Sequence, residues 1–155
     1  MDGDVITAER VIKAAPEAIF ALLADPSRHP DIDGSGSVKQ AKADAPTRLS
    51  LGSKFGMSMK LGIGYSMVNT VVEFEEDRRI AWQARPPGFF GRISAGRIWR
   101  YQLDPVDGGT RVRESWDLSQ DHQRGLLRRG RLPQKTHDNM AKTLERIAAL
   151  TEAPT

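Results

Sequence analysis

The stretch Pro133-Gln-Lys-Thr-His-Asp-Asn-Met-Ala-Lys-Thr-Leu-Glu-Arg-Ile-Ala-Ala-Leu150 decides how this chain folds. His137, Met140, Leu144, Ile147 and, just beyond, Thr151 recur at three- and four-residue spacings and so share one face of a helix. Pro133 suits the first helical position, where its missing N–H is not needed, and Lys135, Lys142, Glu145 and Arg146 lie off the apolar stripe. One residue breaks the pattern: His137 stands at the N-terminal end of an otherwise apolar face. This is the one long helix expected, and the rest of the chain reads as strands that it must cover.

Immediately upstream the period is two. Arg97, Trp99, Tyr101 and Leu103 alternate with Ile98, Arg100 and Gln102, Asp107-Gly108-Gly109 is a hairpin signal, and Val112, Glu114, Trp116 and Leu118 share a parity in the strand that follows. Further back, Ile80, Trp82 and Ala84 belong to another strand, Tyr65 to Glu75 is a long β-rich run, and Phe55, Met57, Met59 and Leu61 alternate with Lys54, Ser58 and Lys60. Val38 to Ala43 reads as a further strand and Val5 to Ala14 as the first. Between them, Pro16-Glu-Ala-Ile-Phe-Ala-Leu-Leu-Ala-Asp25 has helical spacing at Ile19, Phe20 and Leu23, and Pro26 to Gly36 is a short turn or helix with a glycine-rich exit. Successive hairpins followed by one helix predict a single α+β domain over residues 1–155, with a seven-stranded antiparallel sheet and two short helices between the first two strands.

Composition bounds the function. The chain has no cysteine, so disulfides, thiolate metal sites and a cysteine nucleophile are excluded. No apolar run reaches the roughly eighteen residues of a membrane span, and the N-terminus lacks a signal-length apolar segment, so a soluble cytoplasmic protein is expected. Net charge is only +3, and no recognition motif accompanies it, so nucleic acid is not expected as a partner. Asp31-Ile-Asp33-Gly-Ser35-Gly36 imitates the opening of a calcium loop, but Lys42 stands where a bidentate glutamate is required; a turn is the better reading. The three histidines, His29, His122 and His137, are too scattered to form a metal set, and no metal or cofactor is expected.

Ala15 to Asp25, Val71-Val-Glu-Phe-Glu-Glu-Asp-Arg-Arg-Ile-Ala-Trp82 and Trp99-Arg-Tyr-Gln-Leu-Asp-Pro-Val-Asp-Gly-Gly-Thr-Arg-Val112 together resemble the START and polyketide cyclase/dehydrase superfamily, often labelled SRPBCC. The resemblance implies a helix-grip fold, in which a curved sheet wraps a long C-terminal helix, and a hydrophobic ligand held between them. Where that family often has a tryptophan after its first helix, this chain has Ile32.

Strand parity supplies the candidate wall of such a cavity. Ile80 and Trp82, then Arg97, Trp99 and Tyr101, then Val112, Glu114 and Trp116 are expected to face the helix, with Met140 and Leu144 opposite. Three polar groups fall within this apolar set. Glu114 and Arg97 are expected either to pair across a hairpin or to reach solvent, and His137 either to join them or to cap the helix end. For catalysis the candidates are His137 or Glu114 as acid or base and Tyr101 polarising an oxygen. Pro86-Pro87-Gly88-Phe89-Phe90-Gly91 is a loop whose two rings either close the cavity mouth or complete the core. Arg124, Arg128, Arg129, Arg131 and Lys135, interleaved with Leu126, Leu127 and Leu132, form either a solvated face or, if helical, a contact for an anionic membrane surface or an acidic partner. Three functions follow: binding of a small hydrophobic or amphipathic molecule such as a lipid, polyketide or aromatic; acid–base catalysis on one; or a protein-binding module with a filled core.

Overall fold

The computed structural model describes residues 3–36, 38–41, 45–61, 63–85 and 96–152, and gives the backbone alone for 39–41, 57–61 and 63–66. Phe89 and Phe90 lie outside the described residues. In chain order the elements are β1 (Val5–Ile12), α1 (Pro16–Leu23), a 3-10 turn (Pro26–Arg28), α2 (His29–Ile32), β2 (Val38–Ala41), β3 (Lys54–Leu61), β4 (Ile63–Glu75), β5 (Arg79–Arg85), β6 (Ile98–Val106), β7 (Gly109–Asp117), α3 (Arg124–Leu127) and α4 (Leu132–Thr151).

Strands β2 to β7 form an antiparallel meander, and β1 joins its far edge beside β7, giving the order β1-β7-β6-β5-β4-β3-β2. The pairing of β1 with β7 runs from Val5 opposite Asp117 to Ile12 opposite Thr110, so the first strand of the chain is held by the last. Tight turns set the register of the meander. Asp77 adopts φ 58 between β4 and β5, a left-handed conformation that aspartate tolerates, and Gly108 adopts φ 83 between β6 and β7. A bulge at Val72 in β4 inserts a residue between the Val71–Trp82 and Glu73–Ala81 pairs. The side-chain parity shifts there, so Asn69 and Val71 face inward below the bulge and Phe74 packs on the core above it.

Helix α4 lies across β1 and β7 and touches α1 and α2. Its inner face is Thr136, Met140, Thr143, Leu144, Ile147 and Ala148. A stripe through Met140 and Ile147 at 3.6 residues per turn passes between positions 136 and 137, and the helix takes Thr136 inward. The expected place of His137 on that face is therefore corrected: its side chain is 43% exposed on the flank.

At one end of the molecule the layers are in full contact. Ile19, Phe20 and Leu23 of α1 are completely buried against Ile12, Leu103 and Val112 of the sheet and Ile147 of α4. Phe20 meets Phe74 edge-on at 5.5 Å. Each such side chain contributes about 1.5–3 kcal/mol by leaving water. At the other end α2 and the segment after it replace α1, and the layers stand apart.

That second end is latched by Gly34. Its N–H donates to the Thr143 hydroxyl at 2.8 Å. A Cβ on Gly34 would run into the Asn139 carbonyl and stand 2.6 Å from the Thr143 nitrogen, so only glycine permits this approach to α4. Asp33 holds the turn itself, accepting from the Ser35 N–H at 3.1 Å and the Val38 N–H at 2.9 Å. The segment that imitates a calcium loop thus spends its carboxylate on backbone, in a turn that starts β2.

The basic run is not one helix. It is interrupted by Gly130 at φ 66, which separates α3 from α4, and Arg128 pairs with Asp4 at 3.2 Å. No helix among the described residues is long and apolar enough to cross a membrane.

Candidate ligand-binding site

Between the sheet and the first half of α4 lies a cavity of about 360 Å³. This falls within the size range of small-molecule sites. Its floor is aromatic, because strand register stacks large rings side by side: Trp82 pairs with Trp99 across β5 and β6, and Trp99 with Trp116 across β6 and β7. The Trp99 and Trp116 ring centroids are 6.2 Å apart. Phe55 of β3 stands edge-on to Trp82 at 5.6 Å and completes that side. The roof is more polar, with Thr136, Asn139, Met140 and Thr143 from α4; His29, Ile32 and Asp33 close the α2 side.

Glu114 is the central polar group of the floor. It is 3% exposed, lies opposite Tyr101 on β6 and Ala8 on β1, and accepts a 2.7 Å hydrogen bond from the Tyr101 hydroxyl at Oε1. Its Oε2 has no hydrogen-bond partner among the described residues. Burial raises its pKa from 4.5 to about 8; the Tyr101 hydrogen bond opposes that rise and the charge of Asp33 adds to it. Burial likewise raises Tyr101 well above its ordinary value, helped by the Glu114 carboxyl. At neutral pH the pair is thus a carboxylic acid and a phenol, both uncharged.

His29 is the third titratable group on the wall. Its Nε2 lies 2.9 Å from the Leu23 carbonyl oxygen, which can only accept, so Nε2 carries the proton and Nδ1 is left as the acceptor. The ring stacks on Trp82 at 4.9 Å, and burial lowers its pKa, against smaller upward effects of the Leu23 hydrogen bond and of Asp25 and Asp33. His29 is therefore neutral too. Charge is confined to the edge of the cavity, at Asp33, Arg97 and Lys135.

The structure brings Trp82, Arg97, Trp99, Tyr101, Glu114, Trp116 and Met140 to this cavity. It does not bring Leu144, which is 1% exposed in the core beyond its closed end. Nor does it bring His137, which lines no part of the wall; its Nδ1 lies 3.7 Å from the neighbouring Asp138 carboxylate. The expected Arg97–Glu114 pair is also corrected. Arg97 precedes β6 and turns toward buried Asp121, with Nε 3.5 Å from its carboxylate, while Glu114 takes a phenol instead of a cation. A phenol satisfies one lone pair without bringing a second charge into the interior.

Sequence reasoning missed His29, Asn69 and the polar face of α4. Asn69 faces inward opposite Ala84 and is 7% exposed, and the signal for it was its place one alternation from Val71. For His29 the signal was the sequence His29-Pro30, which begins α2, but nothing in the chain announced that α2 folds over Trp82. Among the described residues no group of three side chains is placed to hold a metal ion.

A family model described as polyketide cyclase / dehydrase and lipid transport matches residues 4–152. The chain belongs to this family. Its fold is shared with solved structures across nearly the whole chain: a Chromobacterium violaceum protein (TM-score 0.69, 18% identity, covering 97% of this chain and 99% of that one), and the Aha1 dimer from Colwellia psychrerythraea (TM-score 0.66, 19% identity, 96% of each). An uncharacterized protein of Mycobacterium tuberculosis is 34% identical over 120 residues, which are 76% of this chain and 48% of that protein. The chain thus spans about half the length of the curated relatives it matches. As a family member it has the helix-grip architecture that the quoted motifs implied.

Proposed function

We propose that this protein binds a small hydrophobic or amphipathic molecule, such as an aromatic, polyketide or lipid, in the cavity between the sheet and α4, in the cytoplasm. The observation that carries this reading is the cavity itself: about 360 Å³ of space walled by Trp82, Trp99, Trp116 and Phe55, with uncharged polar groups set into it. Family membership supports it, since the family's description includes lipid transport. A protein-binding module needs no such space, so the cavity favours the ligand reading. Native mass spectrometry of protein purified from its own host tests it. A bound small molecule is expected, released by unfolding; recovery of the bare chain alone, together with failure of apolar probes to bind, would refute it.

A second reading, acid–base catalysis on the bound molecule, rests on one observation. Glu114, with a pKa of about 8, is poised near neutral pH beside Tyr101, where it can give or take a proton. In this reading Glu114 is the acid or base and Tyr101 polarises the oxygen. The test is turnover of a polyketide analogue that the protein demonstrably binds. Activity lost in Glu114→Gln with binding retained supports catalysis, and binding without turnover in the unaltered protein rejects it.

A further inference from the structure

We infer that the inner end of the cavity receives an uncharged acceptor oxygen of the ligand, a carbonyl or ether, held by the Glu114 carboxyl and the Trp116 indole N–H. The inference rests on the ligand reading above and specifies which end of the ligand enters and with what chemistry.

Two buried polar atoms on the floor, Glu114 Oε2 and Trp116 Nε1, lack partners among the described residues, and the residues that carry them are only 3% and 2% exposed. They stand two positions apart on β7, so they project from the same face with backbone origins about 7 Å apart. An indole N–H only donates. Oε1 already accepts from Tyr101, so the carboxyl proton belongs on Oε2, which makes that atom a donor as well. Buried donors left unmade are expensive, at about 1–3 kcal/mol each, and buried tryptophan N–H groups nearly always find an acceptor. Two donors in an aromatic cavity therefore lack the same thing: an oxygen lone pair.

The charged groups around Glu114 exclude the other candidates. Tyr101 on β6 donates to it, Asp33 after α2 adds negative potential, and His29 on α2 is neutral; Arg97 and Lys135 also line the cavity, but Arg97 is held by Asp121. An anionic ligand end would be desolvated among rings and near Asp33. A cationic end would meet the Trp116 N–H with like polarity. Ionisation of Glu114 turns its donor into a charge that repels the ligand oxygen, so binding weakens as pH rises past about 8.

Four probes of one shape separate the cases by calorimetry: 2-acetylnaphthalene, its isosteric alkene 2-isopropenylnaphthalene, 2-naphthoate, and a trimethylammonium naphthalene. At pH 6.5 the ketone should bind roughly tenfold tighter than the alkene, the size of one net hydrogen bond, and the two ions more weakly than the ketone. At pH 9.5 the unaltered protein should lose the Glu114 share of this preference and keep only the part supplied by the Trp116 N–H, a comparison that needs no variant. Glu114→Gln keeps a donor, so it should keep the preference for the ketone and lose its pH dependence; Trp116→Phe should reduce the preference at both pH values. Equal binding of ketone and alkene, or tightest binding by the cation or the carboxylate, overturns the inference and leaves the cavity reading standing. Failure of every probe to bind, with no molecule co-purifying, overturns both.

Discussion

The two halves of helix α4 sit over two differently built ends of one sheet. Its second half presents Leu144, Ile147 and Ala148 to Phe20, Leu103 and Val112, with exposures of 0–2%. Its first half presents Thr136, Asn139, Met140 and Thr143 to a gap, below which lie Trp82, Trp99, Glu114 and Trp116. The same helix, sheet and strand spacing serve both. What differs is the third partner: α1 brings Phe20 and Leu23 to fill the space, whereas α2 brings His29 and a turn latched through Gly34. His29, Asn69, Glu114, Thr136 and Thr143 are buried polar residues that line the hollow end, whereas Thr110 is buried opposite Ile12 at the packed one. One end supplies stability and the other gives up packing for a binding site.

The largest effect that would test this division is a pH dependence of stability that originates at the hollow end. Native Glu114 keeps its proton to about pH 8, whereas an unfolded glutamate releases it near 4.5. Between those values the native state binds the extra proton, so stability falls with rising pH and levels off above 8. Three to four pH units at about 1.4 kcal/mol each give an effect on the order of 5 kcal/mol. His29 acts in the opposite sense: its lowered pKa loses stability as pH falls through 6.5. Glu114→Gln isolates the first contribution. The difference in urea-unfolding free energy between the two proteins should favour the wild type at pH 4.5 and move several kcal/mol toward the variant by pH 8.5. A difference that stays constant with pH would mean that Glu114 is solvated.

At the packed end, Phe20→Ala should lower stability by about 3–4 kcal/mol, since a fully buried ring leaves a void that its neighbours only partly refill. Trp99→Ala at the hollow end should lower it less, because part of that ring already faces the cavity. Denaturant titration ranks the two, and the reverse order would show that the gap is filled in solution. Gly34→Ala is expected to be smaller again, about 1–3 kcal/mol, because the added methyl pushes the Asp33 turn off the backbone of α4. It should also weaken probe binding, as the turn borders the cavity. Loss of stability with unchanged affinity would separate the latch from the site.

The sequence carried the packed end more fully than the hollow one, for a physical reason. Alternation and helical spacing follow from apolar side chains seeking a common face, so the seven-stranded sheet, the long helix and the facing of Trp82, Tyr101, Glu114 and Trp116 were readable. Membership of the family was readable from the same turn and packing residues. A cavity inverts this logic, because its wall tolerates polar residues that periodicity counts as surface. Thr136, Asn139 and Thr143 therefore carry no apolar signal on α4, and His137 was drawn onto the face in place of Thr136. His29 and Asp33 were not placed at the cavity because their position depends on where a four-residue helix folds in space, which no local pattern encodes. The bulge at Val72 likewise left no mark in the alternation.

The smallest predicted effect is also the sharpest check on that distinction. His137 occupies the edge of the very stripe that defines α4, yet its side chain is 43% exposed and its nearest charged neighbour, Asp138, is 3.7 Å away and itself exposed. A contact of that kind contributes only marginally, so His137→Ala should change stability by no more than about 0.5 kcal/mol. Its effect on binding of 2-acetylnaphthalene should be undetectable, because the residue lies outside the wall formed by Thr136 and Met140. Thr136→Ala, one position away, is the informative partner: it alters the roof directly and should shift affinity while leaving the helix intact. If His137→Ala weakened the probe and Thr136→Ala did not, α4 would be rotated by about 100° from the position described, and the hollow end would have a different roof.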